Sequence, residues 1–333
     1  MAEMRFLLVR LGSLGDIVHA LPASAALRDA FPTAEIDWLV EPKWRRILEG
    51  NRDLNEIIPL NRGDLGAVRK TVKSLRSREY SCAIDFQGLY KSALIPFFAR
   101  IPRRIGFRES YAREGLASTF YTERVNPAGA HKVDHNLTLA RAAGASLGSA
   151  RFSLAITPED RAIASRELAS RNVSDYYVLN PGGGWKSKCW PAERYGGLGA
   201  RLNRAYGWRG VVTYGPGEDG MAEQVVTASG GCSVAIPLPL GPLMATLEGA
   251  KFVVSADTGP LHVASALGAP CVGLFGPTDP ARNGPYSRDD VTVRNLRSVQ
   301  TTYQRGSSYA ASMLSITVEQ VAAAVEERLR GVS

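Results

Sequence analysis

The sequence is poor in the features that mark secreted mini-proteins, zinc ribbons and integral membrane proteins. It has only four cysteines in 333 residues, and they are Cys82, Cys189, Cys232 and Cys271. None of them forms a CxxC pair, so neither a disulfide framework nor a zinc ribbon is indicated. A run of about 20 apolar residues is also missing, because the longest weakly polar stretch, 252–277, is interrupted by Asp257, His262 and several glycines and prolines. These absences favour a globular protein of a reducing compartment such as the cytoplasm.

Length and charge narrow the possibilities further. A chain of 333 residues suggests two domains of roughly 150 residues each, and 45% hydrophobic residues exclude a wholly disordered chain. Forty Lys and Arg against 32 Asp and Glu give a net charge of +8. Such an excess predicts an acidic partner, but it does not choose between nucleic acid, a membrane surface and a phosphorylated substrate.

Short apolar runs alternate with helical stretches along the whole chain. This alternation is typical of right-handed βαβ units and predicts an α/β protein with a parallel sheet in each of two domains, 1–160 and 161–333. An exposed helix over 161–172 is expected to lead into the second domain. The predicted strands are RFLLVR (5–10), EIDWLV (35–40), SCAIDF (81–86), YYVLN (176–180), GVVTY (210–214), CSVAI (232–236), KFVVSA (251–256) and PCVGLF (270–275).

The segment that follows the strand 251–256 has the features of an anion site. In open α/β sheets ligands bind beyond the carboxyl ends of the strands, where Asp257, Thr258 and Gly259 lie. Pro260 stands where a helix would begin, and a helix N-terminus offers unpaired N–H groups that suit a diphosphate. An equally simple alternative is that Asp257 or Thr258 only caps the helix while His262 faces the sheet.

A glycine-rich turn, PGGGWKSKCW (181–190), follows the strand 176–180. Three glycines let a ligand approach the backbone, and Lys188 could neutralise charge on a leaving phosphate. The alternative is a flexible, solvated loop, although Trp185 and Trp190 would be costly residues to leave in such a loop.

A third turn, GPGEDG (215–220), matches the GxGxxG pattern after a strand. A dinucleotide fold would need an acidic residue about 20 residues further on, and the region 236–240 has none, so NAD is not expected. Glu218 could instead accept a ribose hydroxyl, or it could be an exposed loop carboxylate.

The turn LGSLGD (11–16) comes directly after the first strand. Its two glycines would place Asp16 at the mouth of the first sheet, where a carboxylate could act as a general base. The alternative is an N-cap aspartate for the helix that contains Pro22.

Basic residues concentrate in the first half of the chain. One cluster has six members, Arg62, Arg69, Lys70, Lys73, Arg76 and Arg78, and a second, expected on loops, has five, Arg100, Arg103, Arg104, Arg108 and Arg113. Solvated helix faces are the usual explanation, but the clusters could also hold a polyanionic acceptor or anionic lipid headgroups. No nucleic-acid motif or aromatic stacking platform accompanies them. His131 and His135 have the spacing of a helical metal pair, yet no third ligand motif lies nearby.

Five segments of the chain together resemble the lipopolysaccharide heptosyltransferases of glycosyltransferase family 9. The likeness covers most of the chain in the same order and is strongest to the type I branch of these enzymes. The segments are RFLLVRLGSLGDIVHALPA (5–23), YSCAIDFQGLYKSAL (80–94), YAREGLASTFY (111–121), KCWPAERY (188–195) and FVVSADTGPLHVASALGAPCVGLFGPTDP (252–280).

The resemblance implies a GT-B fold, in which two Rossmann-like domains face each other across a cleft. The first domain would bind the acceptor and the second the nucleotide sugar, and the last helix could pack back on the first domain. The implied reaction is an inverting, metal-independent transfer of heptose from ADP-heptose to the Kdo of Kdo-lipid A, and the chain indeed lacks a DxD motif. The implied partners are those two substrates and an anionic membrane surface, without nucleic acid, for a monomer on the cytoplasmic side of the inner membrane of a Gram-negative bacterium.

The resemblance also assigns residues. It implies Asp16 as the base and Lys188 as the phosphate-contacting lysine. The implied donor residues are Gly183, Gly184, Glu218, Leu238, Asp257, Thr258, Gly259 and His262, with Leu238 beside the adenine. The implied acceptor residues are Ser13, Gly15, Arg62, Arg69, Lys70, Lys73 and Arg113.

The chain departs from the family pattern at one place. Where relatives carry hydroxyl residues before the lysine, Gly183 and Gly184 stand here, which leaves backbone N–H groups and Lys188 for the phosphates. Three alternatives stay open: a family 9 transferase for another nucleotide sugar or another core acceptor, a GT-B-like nucleotide-sugar epimerase, and a non-catalytic polyanion-binding protein.

Overall fold

The computed structural model describes residues 4–146, 148–295, 301–302 and 306–331. The chain divides into two compact units, Met1–Ala155 and Ile156–Ser333. The division therefore falls slightly before the boundary that the sequence predicts after residue 160. In each unit a six-stranded sheet is flanked by helices, and every described strand pair is parallel.

The sheet of the first unit has the strand order β3-β2-β1-β4-β5-β6. Its strands are β1 (Arg5–Val9), β2 (Glu35–Val40), β3 (Glu56–Pro59), β4 (Cys82–Asp85), β5 (Arg103–Phe107) and β6 (Glu123–Val125). Its helices are α1 (Leu14–Val18), α2 (Leu21–Ala30), α3 (Leu65–Ser77), α4 (Tyr90–Phe98) and α5 (Lys132–Ala142), with 3-10 turns at Pro42–Ile47 and Gly115–Phe120.

The sheet of the second unit has the order β12-β11-β10-β7-β8-β9. Its strands are β7 (Tyr176–Asn180), β8 (Arg209–Tyr214), β9 (Ser233–Pro237), β10 (Val253–Ala256), β11 (Cys271–Leu274) and β12 (Val291–Val293). Its helices are α6 (Pro158–Ala169), α7 (Ala192–Tyr206), α8 (Asp219–Ala228), α9 (Leu240–Glu248), α10 (Gly259–Ala266), α11 (Pro280–Asn283), α12 (Ala311–Leu314) and α13 (Val318–Arg330), with a 3-10 turn at Lys186–Lys188.

Both sheets have the same topology. When the strands are numbered within their own unit, each sheet follows the Rossmann order 3-2-1-4-5-6. In this order the direction in which successive strands are added to the sheet reverses between strands 1 and 4. The reversal falls between β1 and β4 in the first unit and between β7 and β10 in the second. Because the crossovers diverge there, the loops after these four strands border a crevice.

The central strands form because they are apolar on both faces. Residues 6–9 of β1 are completely buried, as are Val253 and Val254 of β10, which is the pattern of a parallel strand covered by helices on both sides. In the second unit the core also takes up Trp190, whose ring packs edge-on against Tyr195 and whose Nε1 donates to the carbonyl of Ile316 at 3.0 Å.

The last helix, α13, packs against α7, β11 and β12 of its own unit. Arg328 of this helix donates from Nε to Oδ1 of Asp290 at 3.1 Å, and both side chains are buried. Among the described residues, no helix combines the length and the low polarity that crossing a bilayer requires.

The predicted α/β class and the eight predicted strands are confirmed, with shifts of one or two residues at their ends. Four strands were missed: β3, β5, β6 and β12. The prediction that the second basic cluster lies entirely on loops was wrong, because Arg103 and Arg104 belong to β5. Arg103 forms a two-pronged ion pair with Glu123 on β6, at 2.6 and 3.0 Å, so a salt bridge across neighbouring strands takes the place of an apolar pair.

Candidate active site

The point of reversal in the second sheet carries a buried charge cluster. Lys188 lies at the end of the turn after β7, and Asp257 is the residue directly after β10. The Nζ of Lys188 donates to Oδ2 of Asp257 at 2.6 Å. Nε2 of His262 lies 3.3 Å from Oδ1 of the same carboxylate. The side chains of Asp257 and His262 are each 6% exposed and that of Lys188 is 15% exposed. The two turns that the sequence singles out are thus joined by an ion pair.

The ionisation of Asp257 follows from these contacts. Burial raises the pKa of the Asp257 carboxyl, but the hydrogen bond to His262 and the charge of Lys188 lower it more, so the net pKa lies well below the ordinary value. The carboxylate is therefore ionised at neutral pH, and it holds the ammonium group of Lys188 at the mouth of the crevice.

Helix α10 begins directly beside this cluster. Its N-cap residue is Thr258, yet within the described part of the chain no side chain caps its first turn. The Thr258 hydroxyl instead contacts Oδ1 of Asn180 at 3.2 Å and Oγ of Ser255 at 3.0 Å. The capping alternative is therefore wrong for both Asp257 and Thr258, and the helix start at Gly259 with its positive dipole end remains open to an anion.

The glycine turn lies against this helix start. A Cβ atom at Gly183 would be 2.9 Å from Cγ2 of Thr258, so no larger residue fits there without a shift, whereas Gly184 faces open space. The backbone N–H of Gly183 donates to Oε1 of Glu218 at 3.0 Å. In this structure the Gly183 N–H is therefore paired with Glu218.

Glu218 links two glycine turns. Its second oxygen, Oε2, accepts the N–H of Gly215 at 2.8 Å, and a Cβ atom at Gly182 would collide with the same carboxylate. Glu218 is therefore no freely exposed loop carboxylate. It holds the turns after β7 and β8 together at one edge of the sheet, and Leu238, directly after β9, stands half-buried at that same edge.

The two tryptophans of the turn are both placed by packing. The ammonium group of Lys188 lies 4.4 Å from the centre of the Trp185 ring, a favourable cation–π distance. Trp190 is fully buried. The flexible-loop alternative for this segment does not agree with these contacts.

Asp16 stands at the corresponding point of the first sheet. It is the third residue of α1, and its Oδ2 accepts the Ser13 hydroxyl at 3.0 Å and the Ser13 N–H at 3.4 Å. The N-cap alternative for Asp16 was wrong, because the helix that contains Pro22, α2, has Ala20 as its N-cap, while Asp16 lies inside α1, whose N-cap is Ser13. Oδ2 also forms an ion pair with Arg10, the residue that ends the β1 segment, while Gly15 is buried beneath the turn.

The charge of Asp16 is fixed by its neighbours. Burial raises the pKa of the Asp16 carboxyl, but Arg10, His19 and Lys132 together with the Ser13 hydrogen bond lower it more, so the net pKa lies well below the ordinary value. The carboxylate remains about one-third exposed, which leaves it accessible to a substrate group.

Side chains bind the loop after β1 to the loop after β4. Arg10 donates from Nη1 to the carbonyl of Phe86 at 2.6 Å, and Oε1 of Gln87 accepts the N–H of Leu11 at 2.7 Å. The N–H of Glu114 donates to the carbonyl of Gly88 at 2.9 Å. These bonds place the exposed Arg113 at the same edge of the sheet as Asp16.

The first basic cluster divides into paired and unpaired members. Arg62 forms an ion pair with Glu41, and Arg78 pairs with Glu56 and Asp37. Three exposed cations of α3 have no side-chain ion pair or hydrogen bond within the described ranges: Arg69, Lys70 and Lys73. Arg76, also exposed on α3, donates to the carbonyl of Phe98 at 2.7 Å and has no ion pair there.

The two histidines with helical spacing each contact the backbone. Nδ1 of His131 accepts the N–H of Val133 at 3.1 Å and so caps α5, and Nε2 of His135 lies 3.2 Å from the carbonyl of Gly129. Across the residues that the structure describes, no group of three or more metal-ligating side chains occurs.

Sequence reasoning missed two residues that organise the site. Asn180, the last residue of β7, donates from Nδ2 to Thr213 on β8 and accepts from Thr258 after β10. Arg10 fixes Asp16. Each is a polar residue at the carboxyl end of an otherwise apolar strand, and this signal alone could have identified both.

Comparisons with known proteins show which family the chain resembles. Glycosyltransferase family 9 (heptosyltransferase) matches residues 68–312, which is more than half of the chain. Lipopolysaccharide heptosyltransferase 1 of Escherichia coli K12 is 32% identical over 308 residues, covering 88% of this chain and 94% of the relative. The enzyme of the same name from Pseudomonas aeruginosa is 31% identical over 303 residues, covering 86% of this chain and 83% of the relative.

A solved structure extends the likeness to three dimensions. The E. coli heptosyltransferase WaaC, solved with ADP and with ADP-2-deoxy-2-fluoro heptose, superimposes in its ADP complex with a TM-score of 0.76 at 26% identity over 98% of both chains. The predicted GT-B fold class is thereby confirmed. The chain belongs to glycosyltransferase family 9, the heptosyltransferase family, and is a glycosyltransferase.

Proposed function

We propose that the protein transfers L-glycero-D-manno-heptose from ADP-heptose to the Kdo of Kdo-lipid A in the synthesis of the lipopolysaccharide inner core, with inversion and without a metal ion. The names of the relatives support a heptosyltransferase of the lipopolysaccharide core, and the sugar nucleotide bound to WaaC supports an ADP-heptose donor. The choice of Kdo-lipid A rests on the likeness to the type I enzymes.

The observation that carries this proposal is the pairing of Lys188 with Asp257 at the point of reversal of the second sheet. A diphosphate bound there would meet the ammonium group of Lys188 and the open N-terminus of α10, whose first residue is Gly259. Both are fixed before the ligand arrives, so they can stabilise charge that develops on a departing diphosphate without reorganisation.

Asp16 is the proposed base, which accepts the proton of the acceptor hydroxyl. Its pKa lies well below the ordinary value, so it is ionised at working pH and ready to accept a proton, but it is too weak a base to deprotonate an unactivated hydroxyl. The proton therefore moves late, once the bond to the anomeric carbon has made the hydroxyl acidic. Arg10, paired with Asp16, keeps the carboxylate oriented throughout.

The proposed transfer is one in-line displacement. The acceptor oxygen attacks the anomeric carbon from the face opposite ADP, its proton passes to Asp16, and the electron pair of the broken C–O bond leaves on the β-phosphate of ADP. The configuration at the anomeric carbon is inverted by this single step. The positive charge that assists departure comes from Lys188 and the helix terminus, so a metal ion is not needed.

The experiment measures ADP release and product formation from ADP-heptose and Kdo-lipid A. We expect the Asp16→Asn variant to lose about 10²–10⁴-fold in turnover, as is typical for removal of a general base, while its affinity for ADP is unchanged. Asp289→Asn, at an exposed aspartate away from the site, is the matched control and should behave like the wild type. Unchanged turnover in Asp16→Asn would exclude its assignment as the base.

Three further measurements test the finer parts of the proposal. The anomeric configuration of the product, read by NMR, should be opposite to that of the donor. Activity should survive complete chelation of divalent cations, and a loss restored by added metal would contradict metal independence. A donor panel of ADP-heptose, ADP-mannose, UDP-sugars and GDP-sugars should show preference for ADP-heptose.

A further inference from the structure

Two aromatic side chains are exposed at the end of α4. Phe97 is 42% exposed and Phe98 is 53% exposed, and their ring centres lie 5.5 Å apart in an edge-to-face arrangement. Large apolar side chains grouped on a surface mark a contact with a partner or a membrane more often than isolated ones do. Ala93 and Ile95 are buried apolar residues of the same helix. Phe97 makes one further ring contact, edge-on against Phe120 at 5.2 Å, and still leaves 42% of its surface exposed.

Arginines surround this aromatic pair. A groove of about 430 Å³ is lined by Arg76, Phe97, Phe98, Arg100 and Arg104, and no carboxylate belongs to its lining. We refer to these five residues as the Phe97–Phe98 patch. Arg76 donates from Nη2 to the carbonyl of Phe98 at 2.7 Å, and the guanidinium carbon of Arg104 lies 5.6 Å from the centre of the Phe97 ring.

The arginines of the patch keep their charge available. Arg76 and Arg104 donate to backbone carbonyls, which satisfy hydrogen bonds without neutralising the cation. Arg100 stands in a left-handed backbone conformation with φ of 60°, and its side chain has no hydrogen bond or ion pair to the rest of the described chain. The patch therefore presents three uncompensated positive charges around an apolar centre.

A basic stripe extends the patch along α3. Arg69, Lys73 and Arg76 are spaced by four and three residues, so they lie on one face of the helix, and α3 packs against α4. Among the described residues Arg69 and Lys73 have no ion-pair partner. The stripe widens the positive surface beyond what a single small anion would require.

We propose that the Phe97–Phe98 patch docks the enzyme on an anionic phospholipid bilayer. The two rings would enter the headgroup region, and the guanidinium groups would bind lipid phosphates, which they recognise by paired hydrogen bonds. The inference rests on the proposed lipid-linked acceptor, because such docking would hold the first unit at the surface where that acceptor resides. A symmetric dimer through this patch is disfavoured, because its three arginines would face the same three arginines of the second copy.

The experiment is flotation of the full-length protein with vesicles, without donor or acceptor. The vesicles are phosphatidylcholine alone or phosphatidylcholine with phosphatidylglycerol. We expect binding only to the vesicles that contain phosphatidylglycerol. Phe97→Ser/Phe98→Ser should weaken it at least about tenfold, and Arg76→Gln/Arg100→Asn should weaken it by about fivefold for each charge removed. Only the loss in the arginine variant should shrink as ionic strength rises.

The matched control is Leu314→Ser/Arg204→Gln. Leu314 is 42% exposed, like Phe97, and Arg204 is an exposed arginine of α7, but both belong to the second unit. This variant should bind vesicles like the wild type. The proposal is wrong if the wild type does not float with anionic vesicles, if the double Phe variant floats equally well, or if the control loses as much.

Two further outcomes separate this proposal from its alternatives. If light scattering showed a wild-type dimer that the double Phe variant abolishes, the patch would be a protein interface and the proposal would be wrong. Turnover on a deacylated, water-soluble acceptor should be unchanged in the double Phe variant, and a loss there would assign the patch to sugar binding instead. Failure of the wild type to use ADP-heptose would contradict the proposed function but would not alter the vesicle result.

Discussion

Replacing Lys188 by methionine tests the charge cluster of the second unit most directly. Methionine keeps the length and apolar stem of lysine but removes the ammonium group that lies 2.6 Å from Asp257. Among the described residues, the carboxylate, 6% exposed, would keep only His262, at 3.3 Å, as its partner. The variant therefore removes at once what Lys188 contributes to the fold and what it contributes to a ligand.

The expected loss of stability can be worked out from this geometry. Removing one partner of a buried ion pair costs about 3–5 kcal/mol, because the remaining charge is uncompensated. Since His262 remains and Lys188 is 15% exposed, we expect the lower end, about 3 kcal/mol. For a unit of this size that corresponds to a fall in Tm of about 6–12 °C.

The pH dependence of this loss has a definite sign. The folded-state pKa of Asp257 lies below its unfolded value, so the stability that the pair contributes is present above pH 4 or so and is lost as the pH falls through the folded pKa. Without Lys188 the pKa rises and the folded variant takes up a proton at higher pH than the wild type. The stability difference between Lys188→Met and the wild type should therefore shrink as the pH is lowered.

A second substitution distinguishes the two roles of the lysine. In Lys188→Met/Asp257→Asn the uncompensated charge is gone, so most of the lost stability should return. ADP affinity, measured by calorimetry, should stay about tenfold to a hundredfold below that of the wild type in both variants that lack Lys188, as expected for a lost charge-assisted hydrogen bond. Asp257→Asn alone keeps the lysine but weakens the contact that positions it, so its ADP affinity should fall less than in the two variants that lack Lys188.

Two results would refute this reasoning. If Lys188→Met were as stable as the wild type, the ion pair would contribute nothing to the fold. If the double variant recovered ADP affinity together with stability, the lysine would act only through the fold and would not contact the phosphates.

Three other predictions follow from single contacts. Because positive neighbours hold the pKa of Asp16 well below its ordinary value, the pH profile of kcat/KM should show no acid limb above about pH 5; a limb there that moves in Arg10→Gln would show that the pKa of Asp16 is not lowered. Glu218→Gln turns an NH₂ group toward one of two backbone N–H donors, so unfolding by urea should show a loss of about 1–3 kcal/mol, and a neutral result would mean that the turns do not depend on it. Arg328→Met leaves the buried carboxylate of Asp290 unpaired and should cost about 3–5 kcal/mol, measurable as a lower urea midpoint, and Arg328→Met combined with Asp290→Asn should recover most of it.

Much of the fold follows from local sequence, because the central strands are apolar on both faces and a glycine follows each of them within three residues. Runs such as 5–10 and 251–256 cannot be exposed without cost, and the glycine turn soon afterwards marks the carboxyl edge of the sheet. The missed strands differ in just these respects. β5 begins with two arginines, and β6 and β12 have three residues each, so their place in the sheet depends on cross-strand partners such as Glu123 that no local window contains.

The location of the site was predictable, but the partners of its residues were not. Each turn after a strand could be found in the sequence, since parallel strands bring their carboxyl ends to one edge. The hydrogen bond from Gly183 to Glu218 joins two loops that lie 35 residues apart in the sequence. The ion pair between Arg10 and Asp16 is local, but it depends on the path of the turn between them. Spacing cannot decide whether a carboxylate faces a ligand or the backbone N–H of another loop.

The same distinction applies to the net charge of +8. Several arginines of the two basic clusters are used within the fold: Arg62, Arg78 and Arg103 each neutralise a glutamate. The exposed cations of α3 and Arg100 are not used in this way within the described residues. Attraction of the first unit to an acidic partner therefore comes from this smaller set, whose members share one connected surface on α3 and the end of α4. An ionic-strength dependence of binding would report the unpaired cations alone, since partly buried ion pairs are screened much less.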